Sequence, residues 1–324
     1  MPMRGTCLYV RETLESIVKD VGNHFSMCIT FSELNFSVED MVQSIAPEAK
    51  VRYITADRLS LAQALNIAVK SSTKKYILRI DSDDNVITGR TSKQFKFLEE
   101  NPDIAVVGSQ VVLIDKFSNR IGQSEYDTKT FSEEFGFGCR LAHPSVMFRR
   151  DQIMSVGNYQ DICNLQGWSF CEDYDLWLRV LELYGIGILD EPLTEYRIHG
   201  SQLTQKFEVE VFLCSLLLRF RKILGEPRMS IIDNDLSLDS PAIKKAISRM
   251  RLLNTPESRV WLLEYAIFTL RKYPSILRTI SKSKTMYFTK NLNLWFFCLR
   301  YVLRNQGSYK RELANHRSGL SKKN

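Results

Sequence analysis

Blocks of apolar positions at helical spacing alternate with short apolar runs along the first two hundred residues. From Ser60 to Val69 the pattern LAQALNIAV predicts an amphipathic helix. After the polar stretch SSTKK comes Tyr76-Ile77-Leu78-Arg79-Ile80, a nearly continuous run of strand formers that predicts a strand buried on both faces. It stops at four polar residues, Asp81-Ser82-Asp83-Asp84. A helical segment ending in FKFLEENP and a second strand candidate, DIAVVGSQVVLID, follow. This alternation predicts an α/β layered fold with a largely parallel sheet. Beyond Gly200 the pattern is helical: Phe207 to Leu224 closed by Gly225, a start at Ser240-Pro241 opening AIKKAISRMRLL, and Ser258 to Tyr273. No internal repeat or low-complexity tract interrupts it. The expected organisation is an α/β body over residues 1–204 and a helical C-terminal region over residues 205–324.

Composition and charge narrow the class. With 324 residues and 44% apolar content the chain can bury one large core and a smaller one. The tightest apolar run near the end, Leu294 to Leu299, is far short of a membrane span. Charges in the opening MPMRGTCLYVRETLESI stand where a signal peptide needs its apolar stretch, so a cytoplasmic location is expected. The seven cysteines form no C-x-x-C pair and predict reduced thiols. The net charge of +7 divides sharply. From Arg271 onward thirteen Lys or Arg face one acidic residue, Glu312, for +12; the remaining 270 residues carry 31 basic and 36 acidic groups, or −5. A basic tail on an acidic body implies an anionic surface as partner or a solvated, solubilising end. Because no nucleic-acid-binding module accompanies the tail, a membrane leaflet is the expected surface and nucleic acid is not.

Candidate chemistry sits in two acidic clusters. The DSDD string lies at the carboxyl end of a predicted strand, the edge of an open α/β sheet where ligands bind. Carboxylates so close repel one another unless a cation joins them, and oxygen-only ligands favour Mg²⁺ or Mn²⁺. The alternative is a plain acidic turn. A calcium loop of the EF-hand type fails, because Val86 stands where glycine is required and Ser92 where a bidentate glutamate is. No P-loop string and no G-x-G-x-x-G after a strand is present. The second cluster, Cys171-Glu172-Asp173-Tyr174-Asp175, opens a helix whose apolar positions 176, 177, 180, 181 and 183 lead to Gly185. Its three carboxylates suit the positive end of a helix dipole, and one held there can also serve as a general base. His143 in LAHPSVMFRR and His199 in EYRIHGSQLT lie in polar junctions.

Taken in order, ALNIAVKSSTKKYILRIDSDD, FLEENPDIAVVGSQ, HPSVMFRR, EDYDLWLRV and YRIHGSQLT resemble glycosyltransferase family 2. The resemblance runs from about Pro2 to Thr204. It implies the GT-A fold, a nucleotide-diphospho-sugar donor and inversion at the anomeric carbon. By position it further implies that Asp81 and Asp83 hold a Mn²⁺ or Mg²⁺ and the donor diphosphate, with His199 completing the metal shell. Asp173 is then the general base toward the acceptor hydroxyl and Glu172 orients that acceptor. Asp84, His143 and Glu33 complete the residues expected to contact donor or acceptor. The acceptor class is a saccharide or lipid-linked saccharide of O-antigen, capsule or exopolysaccharide assembly, with the basic tail and its Trp295-Phe296-Phe297 cluster on the cytoplasmic leaflet.

Three departures mark the N-terminal part. Pro2-Met3-Arg4-Gly5 aligns with residues that follow the family's first strand, so that strand is expected to be missing, supplied upstream or replaced by Cys7 to Val10. Phe31-Ser32-Glu33 replaces paired aspartates that read the nucleobase, leaving Glu33 as the only stand-in. Ser60 replaces a glycine before the helix at Leu61. These departures motivate the alternative of a degenerate family member that binds saccharide or a partner protein without catalysis.

Overall fold

A computed structural model of the chain describes residues 1–4, 8–32, 37–55, 59–124, 139, 141–165, 168–200, 202–224, 246–249 and 265. Strands β1 (Pro2–Arg4), β2 (Ser26–Ser32) and β3 (Lys50–Thr55) form a parallel sheet in that order. Parallel neighbours need crossover connections, supplied here by helices α1 (Val10–Val21) and α2 (Val38–Ile45). The apolar stripes of these helices, Val10 and Leu14 on one, Val38 and Val42 on the other, pack with Met3 and Ile29 of the sheet. The first strand, expected to be missing, is therefore present. Pro2, Met3 and Arg4 themselves pair with Thr30, Phe31 and Ser32, while Val10 opens α1 instead of standing in a substitute strand. A proline at the first strand position costs no ladder donor, so this short segment still satisfies the edge of β2.

Helix α3 (Leu61–Ser71) begins with a reciprocal cap. The Ser60 hydroxyl accepts from the Gln63 amide at 3.2 Å, and the Gln63 side chain accepts from the Ser60 amide at 3.1 Å. The same hydroxyl donates to the Asp161 carboxylate at 2.6 Å. Serine at the family's glycine position thus gives the helix a start signal that glycine could not.

The larger sheet runs β4 (Tyr76–Leu78), β8 (Met147–Arg149), β6 (Ile104–Ile114), β11 (Gly185–Arg197), β5 (Asn85–Val86), with β7 (Arg120–Gln123) hydrogen-bonded to β6. Parallel pairing recurs between β6 and β11; β4 with β8, β8 with β6, β7 with β6 and β5 with β11 are antiparallel. The expected strand at Tyr76 exists, but its three residues are half-buried, and the buried residues of the run, Arg79 and Ile80, lie beyond it. Helix α4 (Arg90–Glu100) packs Leu98 against Val107 and Met147. Helix α5 (Arg150–Ser155) follows β8, and a short antiparallel pair, β9 (Cys163–Leu165) and β10 (Trp168–Phe170), precedes helix α6 (Glu172–Val180). α6 ends before the expected Gly185, leaving Leu183 67% exposed.

Helices α7 (Leu203–Lys206) and α8 (Glu208–Leu224) come next, and residues 246–249 are helical. By contact the chain divides into two compact units, Met1–Val211 with Ser230–Asn234, and Phe212–Met229 with Asp235–Asn324. The expected cap at Ser240-Pro241, the basic tail with Trp295-Phe296-Phe297 and most of the helix predicted from Ser258 lie outside the described residues. Among the described residues no helix is long and apolar enough to cross a membrane. Cys28, Cys139 and Cys171 form no disulfide, whereas Cys214 is disulfide-bonded, so the expectation of wholly reduced thiols fails there. Spacing along the chain does not reveal a pairing made in three dimensions.

Candidate active site at the end of the larger sheet

Strand register places the candidate residues. Leu78 pairs with Met147 and Asn85 with Glu195, so Arg79 to Asp84 carry the chain from one edge strand to the other, across the end of the sheet. A 3₁₀ turn, His143–Ser145, enters β8 at that end, and Arg197 closes β11 there. The crossing segment is anchored on both flanks. The buried Arg90 guanidinium donates to Arg79 O at 2.9 Å and Val146 O at 3.2 Å, stapling the segment to the His143 turn. Ile80 and Val86 pack on Ile17 of α1, whose Ser16 hydroxyl accepts from the Val86 amide at 2.9 Å.

On this segment Asp81, Asp83 and Asp84 each offer a carboxylate oxygen within 4.8 Å of the others. Arg79 forms an ion pair with Asp81, and His199 Nε2 lies 2.9 Å from Asp83 Oδ2. The Arg197 amide donates to Asp84 Oδ1 at 2.8 Å, while Asp84 Oδ2 is buried without a hydrogen-bond partner. Burial, then repulsion from the neighbouring carboxylates, pushes Asp84 well above the usual carboxylate range. Asp81 is raised by burial first, against the opposing charge of Arg79. Three converging hard oxygen donors, from residues that include Asp84 with its orphaned Oδ2, fit a divalent cation of the Mg²⁺ or Mn²⁺ class.

The second cluster begins at a strained residue. Cys171 has φ 57°, a left-handed conformation rare outside glycine, directly before α6. Asp175, the third carboxylate of the first turn, is a buried partner of Arg179 at 2.7 Å, and Arg179 also donates to Val156 O at 2.6 Å. Its part is structural. Among the described residues, Glu172 and Asp173 have no such cation in contact. Burial, then the charge of Asp173, pushes Glu172 up to about 8, and burial raises Asp173 as well. The His143 ring lies beside Glu172, with Nδ1 3.9 Å from Glu172 Oε1 and Nε2 2.9 Å from the Tyr159 hydroxyl. Burial pushes this imidazole well below its ordinary range and keeps it neutral. Asn66 holds Tyr159 in turn, donating to its carbonyl at 2.8 Å and accepting from its amide at 2.9 Å.

The two clusters lie within Coulombic reach of each other. Arg79 lowers Asp81, Asp84, Glu172 and Asp173 alike, and the Asp81 charge raises both Glu172 and Asp173. The structure therefore brings together Asp81, Asp83, Asp84 and His199 on one side, and Glu172, Asp173 and His143 on the other. Glu33 lies outside the described residues. Arg79, Arg197 and Tyr159 escaped the sequence reading. A charged residue inside the apolar run YILRI was the available signal for Arg79; no comparable signal marks Tyr159.

Some known proteins resemble this chain in sequence and others in fold. The glycosyl transferase family 2 model matches residues 1–156. The O-antigen biosynthesis glycosyltransferase WbnJ of Escherichia coli is 30% identical over 213 residues, 64% of this chain and 81% of WbnJ. The amylovoran biosynthesis glycosyltransferase AmsE of Erwinia amylovora is 29% identical over 153 residues, 46% of this chain and 54% of AmsE, so the chain spans about half of that relative. Among solved structures, S. aureus TarS 1-349 in complex with UDP-GlcNAc superposes with a TM-score of 0.54 at 14% identity, covering 82% of this chain and 80% of that one. At such identity the likeness speaks to the fold alone, which is GT-A. On the match to WbnJ and to the family model, the chain belongs to glycosyltransferase family 2.

Proposed function

We propose that this chain is an inverting, metal-dependent glycosyltransferase. It moves a sugar from a nucleotide-diphospho-sugar to a saccharide or lipid-linked saccharide acceptor in surface-polysaccharide assembly. The observation that carries this reading is the convergence of two acidic clusters around Arg79, one built from charge-compensated oxygen donors and the other from desolvated carboxyls. The names of WbnJ and AmsE support the polysaccharide assignment, and the UDP-GlcNAc in the TarS structure supports a nucleotide-diphospho donor. Residues 1–204 form the catalytic body, and the basic region over 205–324 rests on the anionic inner leaflet of a cytoplasmic enzyme.

Asp81 and Asp83 would hold Mn²⁺ or Mg²⁺, with His199 beside Asp83. When bound, such a cation offsets the charge that develops on a leaving diphosphate. Asp173 takes the proton of the acceptor hydroxyl as its oxygen bonds the anomeric carbon and the carbon–diphosphate bond breaks. Neighbouring Glu172 retains its own proton at neutral pH, and the Asp173 charge is one reason it does. It therefore orients the acceptor as a hydrogen-bond donor and leaves the base role to Asp173. A single displacement of this kind requires no covalent enzyme intermediate and inverts the anomeric centre. Both acidic clusters are intact, which favours catalysis over the binding-only alternative.

The reading is tested by a donor screen that follows nucleotide release, with and without chelator, and by NMR of the product's anomeric proton. Chelator-sensitive transfer with inversion is expected; metal-independent transfer or retention contradicts the proposal.

A further inference from the structure

We propose that Arg197 is a positioning residue that sets the geometry of the Asp83–Asp84 segment and so tunes its affinity for a divalent cation. The inference rests on the reading of that cluster as a cation site. Strand alternation puts Arg197 and His199, two positions apart, on the same side at the end of β11. The two grip one residue at different points: Arg197 Nε donates to Asp83 O at 2.8 Å, and His199 Nε2 meets the Asp83 carboxylate at 2.9 Å. The Arg197 amide holds Asp84 Oδ1 at 2.8 Å. Backbone, carboxylate and neighbour are thus all fixed from one short segment.

Arg197 is itself fixed from elsewhere. It is 0% exposed, with its guanidinium 4.2 Å from the Tyr9 ring centroid. Nη2 donates to Glu12 Oε2 of α1 at 2.8 Å; Nη1 donates to the Ser118 hydroxyl at 2.8 Å and to Asp115 O at 3.3 Å. The Ser118 hydroxyl also donates to Glu12 Oε2 at 2.8 Å. Helix α1, the turn between β6 and β7, and the acidic segment therefore meet on one planar fork. Lysine cannot reproduce that fork, because its ammonium presents donors from a single point. Partners one step removed from metal ligands commonly change affinity by about 10–100-fold when lost.

The test is Mn²⁺ titration of the full chain by electron paramagnetic resonance, with metal-free thermal unfolding measured in parallel. Arg197→Lys is expected to weaken Mn²⁺ binding by at least about tenfold. Glu12→Gln, altering a side chain 47% exposed, is expected to weaken it a few-fold. The double variant is expected to be no weaker than Arg197→Lys alone, since both act through one guanidinium. A lowered melting temperature with unchanged Mn²⁺ affinity makes Arg197 merely structural and overturns the inference. Should Arg197→Lys fail to fold, unchanged affinity in Glu12→Gln overturns it equally. Failure of the wild-type chain to bind Mn²⁺ overturns the cation reading itself and this inference with it.

Discussion

The segment Asp81 to Asp84 and the helix start at Glu172 are both acidic and both partly or wholly buried, yet the protein treats them differently. In the first, cationic or hydrogen-bonding groups face the acids: Arg79 on Asp81, His199 on Asp83, the Arg197 amide on Asp84. In the second, among the described residues, Asp175 pairs with a cation, whereas Asp173 accepts from the Tyr174 amide and Glu172 lies beside the neutral His143 ring. Burial raises carboxyls in both clusters. A cation in contact offsets part of that rise and holds the group in place as an oxygen donor, whereas Glu172, beside a neutral ring, is pushed up to about 8. Carboxylate count alone therefore says little about role. What surrounds each carboxylate decides it.

The sharpest way to break this contrast is Asp173→Asn. Transfer is expected to fall about 10²–10⁴-fold, the usual worth of a general base, with calorimetric donor affinity unchanged. Parallel loss of donor affinity would place Asp173 with the first cluster. The next effect in size concerns Asp175, the carboxylate of the helix start that pairs with Arg179. Arg179→Met leaves Asp175 buried without its cation and is expected to cost about 3–5 kcal/mol by denaturant unfolding. A marginal loss would show that this pair is not fully desolvated.

A smaller effect tests the proton held by Glu172. Raised from 4.5 to about 8, this carboxyl binds a proton more tightly folded than unfolded. Its stabilisation is complete below pH 4.5 and is lost as pH rises through about 8, by at most about 1.4 kcal/mol per pH unit. Glu172→Gln is expected to flatten the pH dependence of the melting temperature across that window; an unchanged slope would mean Glu172 is ionised there. The smallest effect serves as a control outside both clusters. Ser60→Ala removes the α3 cap and the contact to Asp161, and is expected to cost about 1 kcal/mol with no change in metal affinity.

Much of the site was legible because its pieces are contiguous strings. DSDD after an apolar run and EDYD before an apolar helix both carry their position in the pattern. What was not legible depends on distant residues meeting. Arg197 reads as one more arginine in YRIH until Glu12, Asp115 and Ser118 are brought to it. Asp175 and Asp173 look equivalent in the string EDYD, and only the helical i, i+4 geometry that delivers Arg179 separates them. The fold shows the same limit. The α/β alternation was readable, but three residues at Pro2–Arg4 carry no periodicity long enough to announce a strand. Their pairing with Thr30–Ser32 is a non-local event. Antiparallel partners within the larger sheet were likewise invisible, since strand order is not written in any single strand.

The division of labour between the clusters is tested most directly by Mn²⁺ binding to Asp83→Asn and Asp173→Asn, measured side by side by electron paramagnetic resonance. Asp83→Asn is expected to lose binding, while Asp173→Asn keeps wild-type affinity. Equal losses in the two variants, or the reverse order, would contradict the account.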